Sequence, residues 1–185
     1  NDGNTTEELL QNADLAMYQA KELGKNKYCS FSKELTLRAA QQLSLENELR
    51  SALANREFLL YFQPQVHIHN SEICGIEALI RWNHPERGFQ GPDSFIDALE
   101  ETGLIVPVGE WILRESCRLV SSWIASGITP IKVAVNISPR QFSDPNFFAM
   151  VEKTIEATGL PTEYLELEIT ESMVMGNMEE SFELL

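Results

Sequence analysis

The sequence predicts an α/β fold in which helices cover a mostly parallel sheet. From Phe58 onward, β-prone runs alternate with helical runs, and this order of elements is typical of parallel sheets. Apolar residues make up 43% of the 185 residues, which is enough to bury a substantial core. A barrel and a doubly wound sheet both fit the alternation. The doubly wound sheet is disfavoured because no glycine-rich dinucleotide fingerprint follows any predicted strand.

The part of the chain before this region has a helical pattern. Residues 5–31 are predicted to form an amphipathic helix followed by a short strand over Tyr28–Phe31. This segment is too short to fold alone. Residues 33–54 are predicted to form a second helix, with leucines on or near one face, that connects the segment to the alternating region.

The alternating region is predicted to open with a β-hairpin. Phe58–Ile68 and Ile73–Trp82 are apolar and β-prone, and His69–Ser71 suits a tight turn between them. The elements predicted after the hairpin are a helix over 93–102, a helix over 108–126, a strand over 131–137, a helix over 146–158, a strand over 164–170 and a helix over 178–185. The strands in this series are therefore expected to run parallel to one another.

The charge balance argues against one class of partner. Fourteen basic and 28 acidic residues give a net charge of −14, which disfavours a broad binding surface for duplex DNA or RNA. An anionic ligand would need local help from a divalent cation and from one or two well-placed arginines.

The location of this region is predicted from what the sequence lacks. No stretch approaches the ~18 consecutive apolar residues of a membrane span, and the N-terminus has no signal-peptide pattern. Cys29, Cys74 and Cys117 are far apart and odd in number, as is typical of buried free thiols in a reducing compartment. The region is therefore expected to be cytoplasmic, and a membrane anchor upstream in the parent protein remains compatible with it.

Polar side chains mark the carboxyl ends of three predicted strands, where α/β barrels place their active sites. On the second hairpin strand, Glu77 and Arg81 share one face because successive strand residues alternate. Asn136 stands where the next strand ends, and Glu168 lies on the third strand with Glu171 in the loop beyond it. Glutamate and asparagine oxygens without a nearby histidine or cysteine suit a hard cation such as Mg²⁺, Mn²⁺ or Ca²⁺. Arg81 beside such a cation would bind phosphate.

Each of these residues also has a purely structural explanation. Glu77 could form an ion pair with Arg81, and Asn136 could cap a turn. Glu166 and Glu168 could alternate across a solvated strand face. Taken together these explanations are weaker, because three strand ends would have to carry oxygen ligands by coincidence.

Five segments of the alternating region form a combined pattern. They are Tyr61–Gln65, Gly75–Trp82, Glu100–Ile105, Asn136–Ser138 and Glu168–Glu171. In this order they resemble the signatures of the EAL domain, a bacterial cyclic di-GMP phosphodiesterase. The resemblance implies a TIM-like (β/α) barrel whose first strand runs antiparallel to the rest. This chain would hold about the first half of that barrel.

The resemblance also implies roles for individual residues. Those that look like the family's metal ligands are Glu77, Asn136 and Glu168. Glu77 and Glu171 resemble catalytic residues of the family, and Glu171 is similar to the glutamate that holds an active-site loop. Arg81 looks like a phosphate contact, and Gln63 resembles a residue that lines a guanine pocket. In such enzymes two divalent cations, Mg²⁺ or Mn²⁺, activate the attacking water, and the product is linear pGpG.

The rest of the chain suggests the organisation of a larger protein. Residues 1–32 resemble the C-terminal end of a GGDEF diguanylate cyclase domain, although its signature loop is absent from this chain. We therefore divide the chain into this remnant, a helical connector over 33–54 and the N-terminal half of an EAL domain over 55–185. An upstream sensory domain and a homodimer formed through the EAL domain are further expectations.

Two functions remain open from the sequence. The first is hydrolysis of cyclic di-GMP by the intact protein, with residues 1–185 alone inactive because the family's later catalytic residues would lie beyond Leu185. The second is a catalytically inactive EAL module that acts as a cyclic di-GMP receptor or as a protein-interaction domain.

Overall fold

Apart from a strand over Tyr28–Phe31, the helices and strands predicted for the described residues occur in the predicted order, and two short elements that were not predicted, Gly88–Gln90 and Pro139–Phe142, are added. This computed structural model describes residues 4–22 and 26–169. Its helices are α1 (Thr6–Glu22), α2 (Lys33–Asn55), α3 (Ile96–Thr102), α4 (Ile105–Ala125), α5 (Pro139–Phe142) and α6 (Phe147–Thr158). Its strands are β1 (Phe58–Val66), β2 (Ile73–His84), β3 (Gly88–Gln90), β4 (Lys132–Asn136) and β5 (Leu165–Glu168). The helix predicted over 178–185 lies outside the described residues.

The start of α1 is set by a reciprocal cap. The backbone amide of Glu8 donates to Oγ1 of Thr5 at 3.2 Å, and the backbone amide of Thr5 donates to Oε2 of Glu8 at 3.3 Å. This capping box satisfies two amides that have no partner inside the helix, and it explains why the helix begins at Thr6.

The chain divides into two compact units, Asn1–Glu48 and Leu49–Leu185. In the first unit the strand predicted over Tyr28–Phe31 is wrong, because these residues form no strand. A strand needs a partner for its backbone amides and carbonyls. The described residues of this unit contain no second strand that could supply one.

The second unit is built on a mixed sheet with the strand order β1-β2-β4-β5. β1 and β2 pair antiparallel, which confirms the predicted hairpin, whereas β2 with β4 and β4 with β5 pair parallel. The short strand β3 pairs antiparallel with the end of β2. In the turn of the hairpin, the amide of Ser71 donates to the carbonyl of His67 at 2.9 Å. The sheet and its helices confirm the predicted α/β class.

The two faces of this sheet differ in burial. One face carries a run of alternate buried residues on β2: Ile76, Ala78, Ile80 and Trp82. Phe58 and Phe95 pack against Trp82, with ring centroids 6.0 and 5.7 Å from its ring. Because strand residues alternate, Glu77 and Arg81 lie on the other face, which we call the site face.

Two helix boundaries differ from the prediction. α4 begins at Ile105, earlier than predicted, because Pro107 is tolerated in a first turn, where its missing N–H has no helical partner in any case. The helix predicted over 93–102 is interrupted. Pro92–Ser94 form a 3₁₀ turn, and α3 begins only after Phe95, whose φ of −148° is not helical.

The helix α4 carries two side chains with shifted pKa values. Burial raises the pKa of the Cys117 thiol to about 11. A hydrogen bond from the Arg118 guanidinium lowers the pKa of Glu115, while its partial burial acts in the opposite direction. The prediction of a buried free thiol is confirmed for Cys117, whereas Cys29 and Cys74 are half-buried.

Within residues 4–22 and 26–169, no helix combines the length and the apolar character that a membrane crossing requires.

Candidate functional site

Glu77 and Asn136 are in direct contact on the site face. Glu77 stands opposite Ala134 in the parallel pairing of β2 with β4, and Asn136 lies two residues further along β4 on the same face. Asn136 Nδ2 donates a hydrogen bond of 2.6 Å to Oε1 of Glu77. The Asn136 side chain is therefore directed at a carboxylate and does not cap a turn.

Glu168 lies beside Asn136 on the same face. The two residues are register partners in the pairing of β4 with β5. Oε1 of Glu168 accepts a hydrogen bond from Nε2 of Gln65, at 3.4 Å. Gln65 is on β1 and Glu168 on β5, at opposite ends of the strand order, so the sheet must curve for their side chains to meet. This curvature brings the three oxygen-bearing side chains to one concave side of the sheet.

Because Gly75 has no side chain, it leaves space for the side chain of Gln65. The two residues stand opposite each other in the pairing of β1 with β2. A Cβ on Gly75 would lie 2.8 Å from Oε1 of Gln65, closer than real Cβ contacts allow. Gln65 was not predicted as a site residue. Gln65 lies two residues after Gln63 on β1, so both side chains lie on one strand face. This two-residue spacing was the signal that could have identified Gln65 as a site residue.

Gln63 and Arg81 also lie on the site face, away from direct contact with each other. Gln63 stands opposite Glu77 in register. Arg81 Nη1 donates to the carbonyl of Ile80 at 2.8 Å, and Arg81 Cζ lies 5.6 Å from the ring centroid of Tyr61. No ion pair between described residues joins Glu77 to Arg81, so the structural pairing considered from the sequence does not occur. Glu77 and Arg81 are four residues apart on β2, which corresponds to about 13 Å along the strand, and an extended ligand could contact both.

The turn after β4 is held by two sets of hydrogen bonds. Ser138 caps α5: its Oγ accepts from the amide of Gln141 at 3.2 Å, and its own amide donates to Oε1 of Gln141 at 3.1 Å. Arg140 Nη1 donates to the carbonyls of Glu100 and Glu101, at 2.7 and 3.2 Å, near the end of α3. The Ser138 hydroxyl is thus engaged in capping, and the turn that follows Asn136 is anchored to α3.

A cleft of about 700 Å³ opens where β2 and β4 separate, and its lining includes Asn136 and Glu168 but not Glu77, Gln63 or Arg81. β2 and β4 are paired only over Gly75–Ala78 and Lys132–Val135, so the two strands separate beyond that point. Asn136 and Glu168 line the cleft together with apolar side chains of β2, α3 and α4, which include Leu79, Ile96 and Ile105. A mostly apolar cleft with a few convergent polar groups is the usual form of a ligand site. Glu171 lies outside the described residues.

Comparison with known protein families identifies this arrangement. The model of the EAL domain matches residues 46–185. The chain belongs to the EAL domain family. Its relatives include the bifunctional diguanylate cyclase/cyclic di-GMP phosphodiesterase MucR of Pseudomonas aeruginosa, which is 41% identical over 184 residues, covering 100% of this chain and 27% of MucR. The cyclic di-GMP phosphodiesterase NbdA of the same species is 40% identical over 185 residues, covering 100% of this chain and 24% of NbdA.

A solved structure shows the same fold. The EAL domain chain is similar to the PaMucR phosphodiesterase in its c-di-GMP complex, with a TM-score of 0.74 and 38% identity. The match covers 77% of this chain and 57% of the PaMucR chain. The EAL type of α/β fold predicted from the sequence is therefore confirmed. The chain spans about a quarter of the length of the curated relatives it matches.

The donor set of this EAL domain suits a hard divalent cation. Glu77 and Glu168 supply carboxylate oxygens, and Asn136 supplies an amide, on neighbouring strands of one curved face. Among residues 4–22 and 26–169, no group of three His, Cys, Asp or Glu side chains is close enough to bind a metal. Oxygen ligands of this kind match Mg²⁺ and Mn²⁺ better than zinc or copper. By ligand chemistry, these three residues fit such a cation.

Proposed function

We propose that the intact protein hydrolyses cyclic di-GMP to linear pGpG. The observation that carries the proposal is the convergence of Glu77, Asn136 and Glu168 on one face of an EAL-domain sheet. Family membership supports it, since MucR and NbdA are cyclic di-GMP phosphodiesterases and match the full length of this chain. Because the chain spans only about a quarter of those relatives, the activity is assigned to the whole protein.

The three oxygen-bearing residues hold a divalent cation, Mg²⁺ or Mn²⁺, and the intact site holds two. When bound, such cations lower the pKa of water and neutralise charge that develops on the phosphodiester. The chain itself contributes rigid placement. Glu77 and Asn136 fix each other through their 2.6 Å hydrogen bond, and Gln65 orients the Glu168 carboxylate from the opposite end of the sheet.

Arg81 and Gln63 bind the substrate in this proposal. The Arg81 guanidinium carries five N–H donors, of which one is directed at the Ile80 carbonyl, and a phosphate would accept from others. Gln63 stands opposite Glu77 and contributes to a guanine pocket. Glu171 holds an active-site loop, in line with its position just after Glu168.

The parent protein is proposed to be a tandem signalling protein. Residues 1–32 form the C-terminal end of a GGDEF domain, and residues 55–185 form the N-terminal half of the EAL domain. Residues 33–54 form the helical connector between them. The bifunctional cyclase and phosphodiesterase MucR, which matches the chain along its full length, supports this order. An upstream sensory domain, a homodimer through the EAL domain and a cytoplasmic location complete the proposal.

The test is product formation by the full-length protein with Mg²⁺ or Mn²⁺, followed by chromatographic detection of pGpG. Glu77→Gln and Glu168→Gln are expected to lower kcat/KM by on the order of 10²-fold or more, as when a group that stabilises transition-state charge is removed. Glu166→Gln is the matched control. Glu166 shares the face and strand of Glu168, but it faces Lys132 at 3.7 Å in an exposed ion pair. Its loss is expected to change kcat/KM by no more than about twofold.

Two results would contradict the proposal. Turnover unaffected by Glu77→Gln would remove Glu77 from the cation site. Binding of cyclic di-GMP by the full-length protein without any pGpG would favour the receptor function instead.

A further inference from the structure

We propose that Tyr61 and Phe89 form a platform on which a purine base of the cyclic dinucleotide stacks, next to the phosphate bound by Arg81. The inference rests on the proposed function and adds a base subsite to it. It assigns a binding role to two aromatic residues that are not among the predicted site residues.

The two rings form a pair that the fold leaves accessible. Their centroids are 5.2 Å apart and their planes are inclined by 48°. Each residue is 51% exposed, whereas Phe58, Trp82 and Phe95, on the opposite face of the same sheet, are at most 3% exposed. Within the described residues, one aromatic cluster is thus buried and this one is exposed.

Strand register places the pair on the site face. Tyr61 stands opposite Leu79, between the rows that contain Glu77 and Arg81. Phe89 pairs with Asn83, which lies two residues beyond Arg81 and thus on the same face. The aromatic platform is consequently on the same surface as the proposed cation ligands, further along β2.

The guanidinium of Arg81 sets the chemistry of the ligand. Arg81 Cζ lies 5.6 Å from the Tyr61 ring centroid, within the range of a cation–π contact. A donor for phosphate therefore adjoins an exposed aromatic ring, that of Tyr61. A nucleotide presents these two features together, because its phosphate and base are joined through one sugar. Bases stack on aromatic side chains irrespective of their hydrogen-bonding edges, so the platform contributes affinity, while base identity is read elsewhere.

The experiment compares stacking with simple apolar packing in the full-length protein. Tyr61→Leu and Phe89→Leu keep apolar bulk but remove the ring, whereas Tyr61→Phe keeps the ring. We expect the two leucine variants to raise KM for cyclic di-GMP about tenfold, which corresponds to about 1.4 kcal/mol, with little change in kcat or Tm. Tyr61→Phe is expected to have a KM closer to that of the wild type than Tyr61→Leu has, because it keeps the stacking ring. Tyr28→Leu, which removes a 91% exposed tyrosine from the first unit, is the matched control.

The possible results separate this inference from the proposed function. If the wild type neither binds nor cleaves cyclic di-GMP, both fail. If the wild type is active and Tyr61→Leu has an unchanged KM, the platform is refuted and the proposed function stands. A fall in Tm and kcat without a rise in KM in the leucine variants would show that the rings serve packing against other parts of the protein, and it would also overturn the platform.

Discussion

Asn136 donates a 2.6 Å hydrogen bond to Glu77 although 59 positions separate them in the sequence. The contact exists because β2 and β4 pair in parallel. Glu77 stands opposite Ala134, and Asn136 lies two residues after Ala134 on the same face of β4. A neutral amide next to a carboxylate stabilises the pair, whereas a second carboxylate at position 136 would repel Glu77 until a cation bridges the two.

The first prediction concerns the charge at position 136. Asn136→Asp is expected to destabilise the cation-free protein by about 1 kcal/mol, or about 2–4 °C in Tm, because two carboxylates then adjoin. The rise in Tm on adding Mg²⁺ should exceed that of the wild type. Differential scanning calorimetry with and without Mg²⁺ measures both. Asn47→Asp, at an exposed position of α2, is the control, and an identical Mg²⁺ response in all three proteins would contradict the prediction.

The second prediction concerns the space above Gly75. Gly75→Ala is expected to push the Gln65 amide away, because a Cβ would lie 2.8 Å from Gln65 Oε1. Glu168 would then lose its hydrogen bond from Gln65, and kcat/KM should fall by about tenfold, as for partners that orient a metal ligand. Stability should change little, because a flexible side-chain end can move.

Steady-state kinetics of Gly75→Ala, Gln65→Ala and the double variant provide the check. If Gly75 acts through Gln65, the two single losses are not additive. Additive losses would show that Gly75 acts by another route.

The third prediction concerns the packing of α5 against α4. Gly109 contacts the side chain of Gln141, and a Cβ at position 109 would overlap the Gln141 amide. Gln141 is buried, with 4% exposure, and forms the capping box with Ser138. Gly109→Ala is therefore expected to lower the free energy of unfolding by about 2 kcal/mol through overpacking and loss of the cap.

Chemical denaturation of the full-length protein measures this loss. Gly91→Ala is the matched control, since a Cβ at Gly91 meets nothing within 4 Å and its φ of −80° suits alanine. We expect the control to change stability by no more than about 0.5 kcal/mol. Equal effects of the two substitutions would show that the contact with Gln141 is not responsible.

The fourth prediction concerns thiol reactivity. Burial raises the pKa of Cys117 to about 11, so about one molecule in a thousand carries its thiolate at pH 8. Iodoacetamide at that pH should label Cys29 and Cys74, which are half-buried, on the order of tenfold faster than Cys117. Mass spectrometry of the native protein measures the rates, with the unfolded protein as control. Equal native rates would contradict the burial of Cys117.

The raised pKa of Cys117 also predicts how the stability of the protein depends on pH. The pKa of Cys117 in the folded state lies above its ordinary value of 9.0, so the unfolded state loses its proton first. The contribution of the neutral thiol to stability is complete below about pH 9 and is lost as the pH rises toward 11. Cys117→Ala should remove this part of the alkaline destabilisation.

Local pattern predicted most of the elements but not their exact ends. The hairpin of β1 and β2 and the helices α1, α2, α4 and α6 follow from periodicity and from turn residues, which act over a few positions. The strand expected at Tyr28–Phe31 failed because pairing depends on a partner elsewhere in the chain. Gln65 was overlooked for a related reason, since its partner Glu168 lies 103 positions away.

By itself, the sequence determined that Glu77 and Arg81 share a strand face, because side-chain alternation is a property of the extended backbone. The expectation that Glu77 stands at a strand end is wrong, because β2 continues to His84. Only the tertiary structure decided that Asn136 meets Glu77, that Gln65 crosses over Gly75 to Glu168, and that Arg81 lies beside Tyr61 without pairing to Glu77. Those contacts depend on strand order, register and sheet curvature. Packing between distant segments sets all three, and no local pattern encodes them.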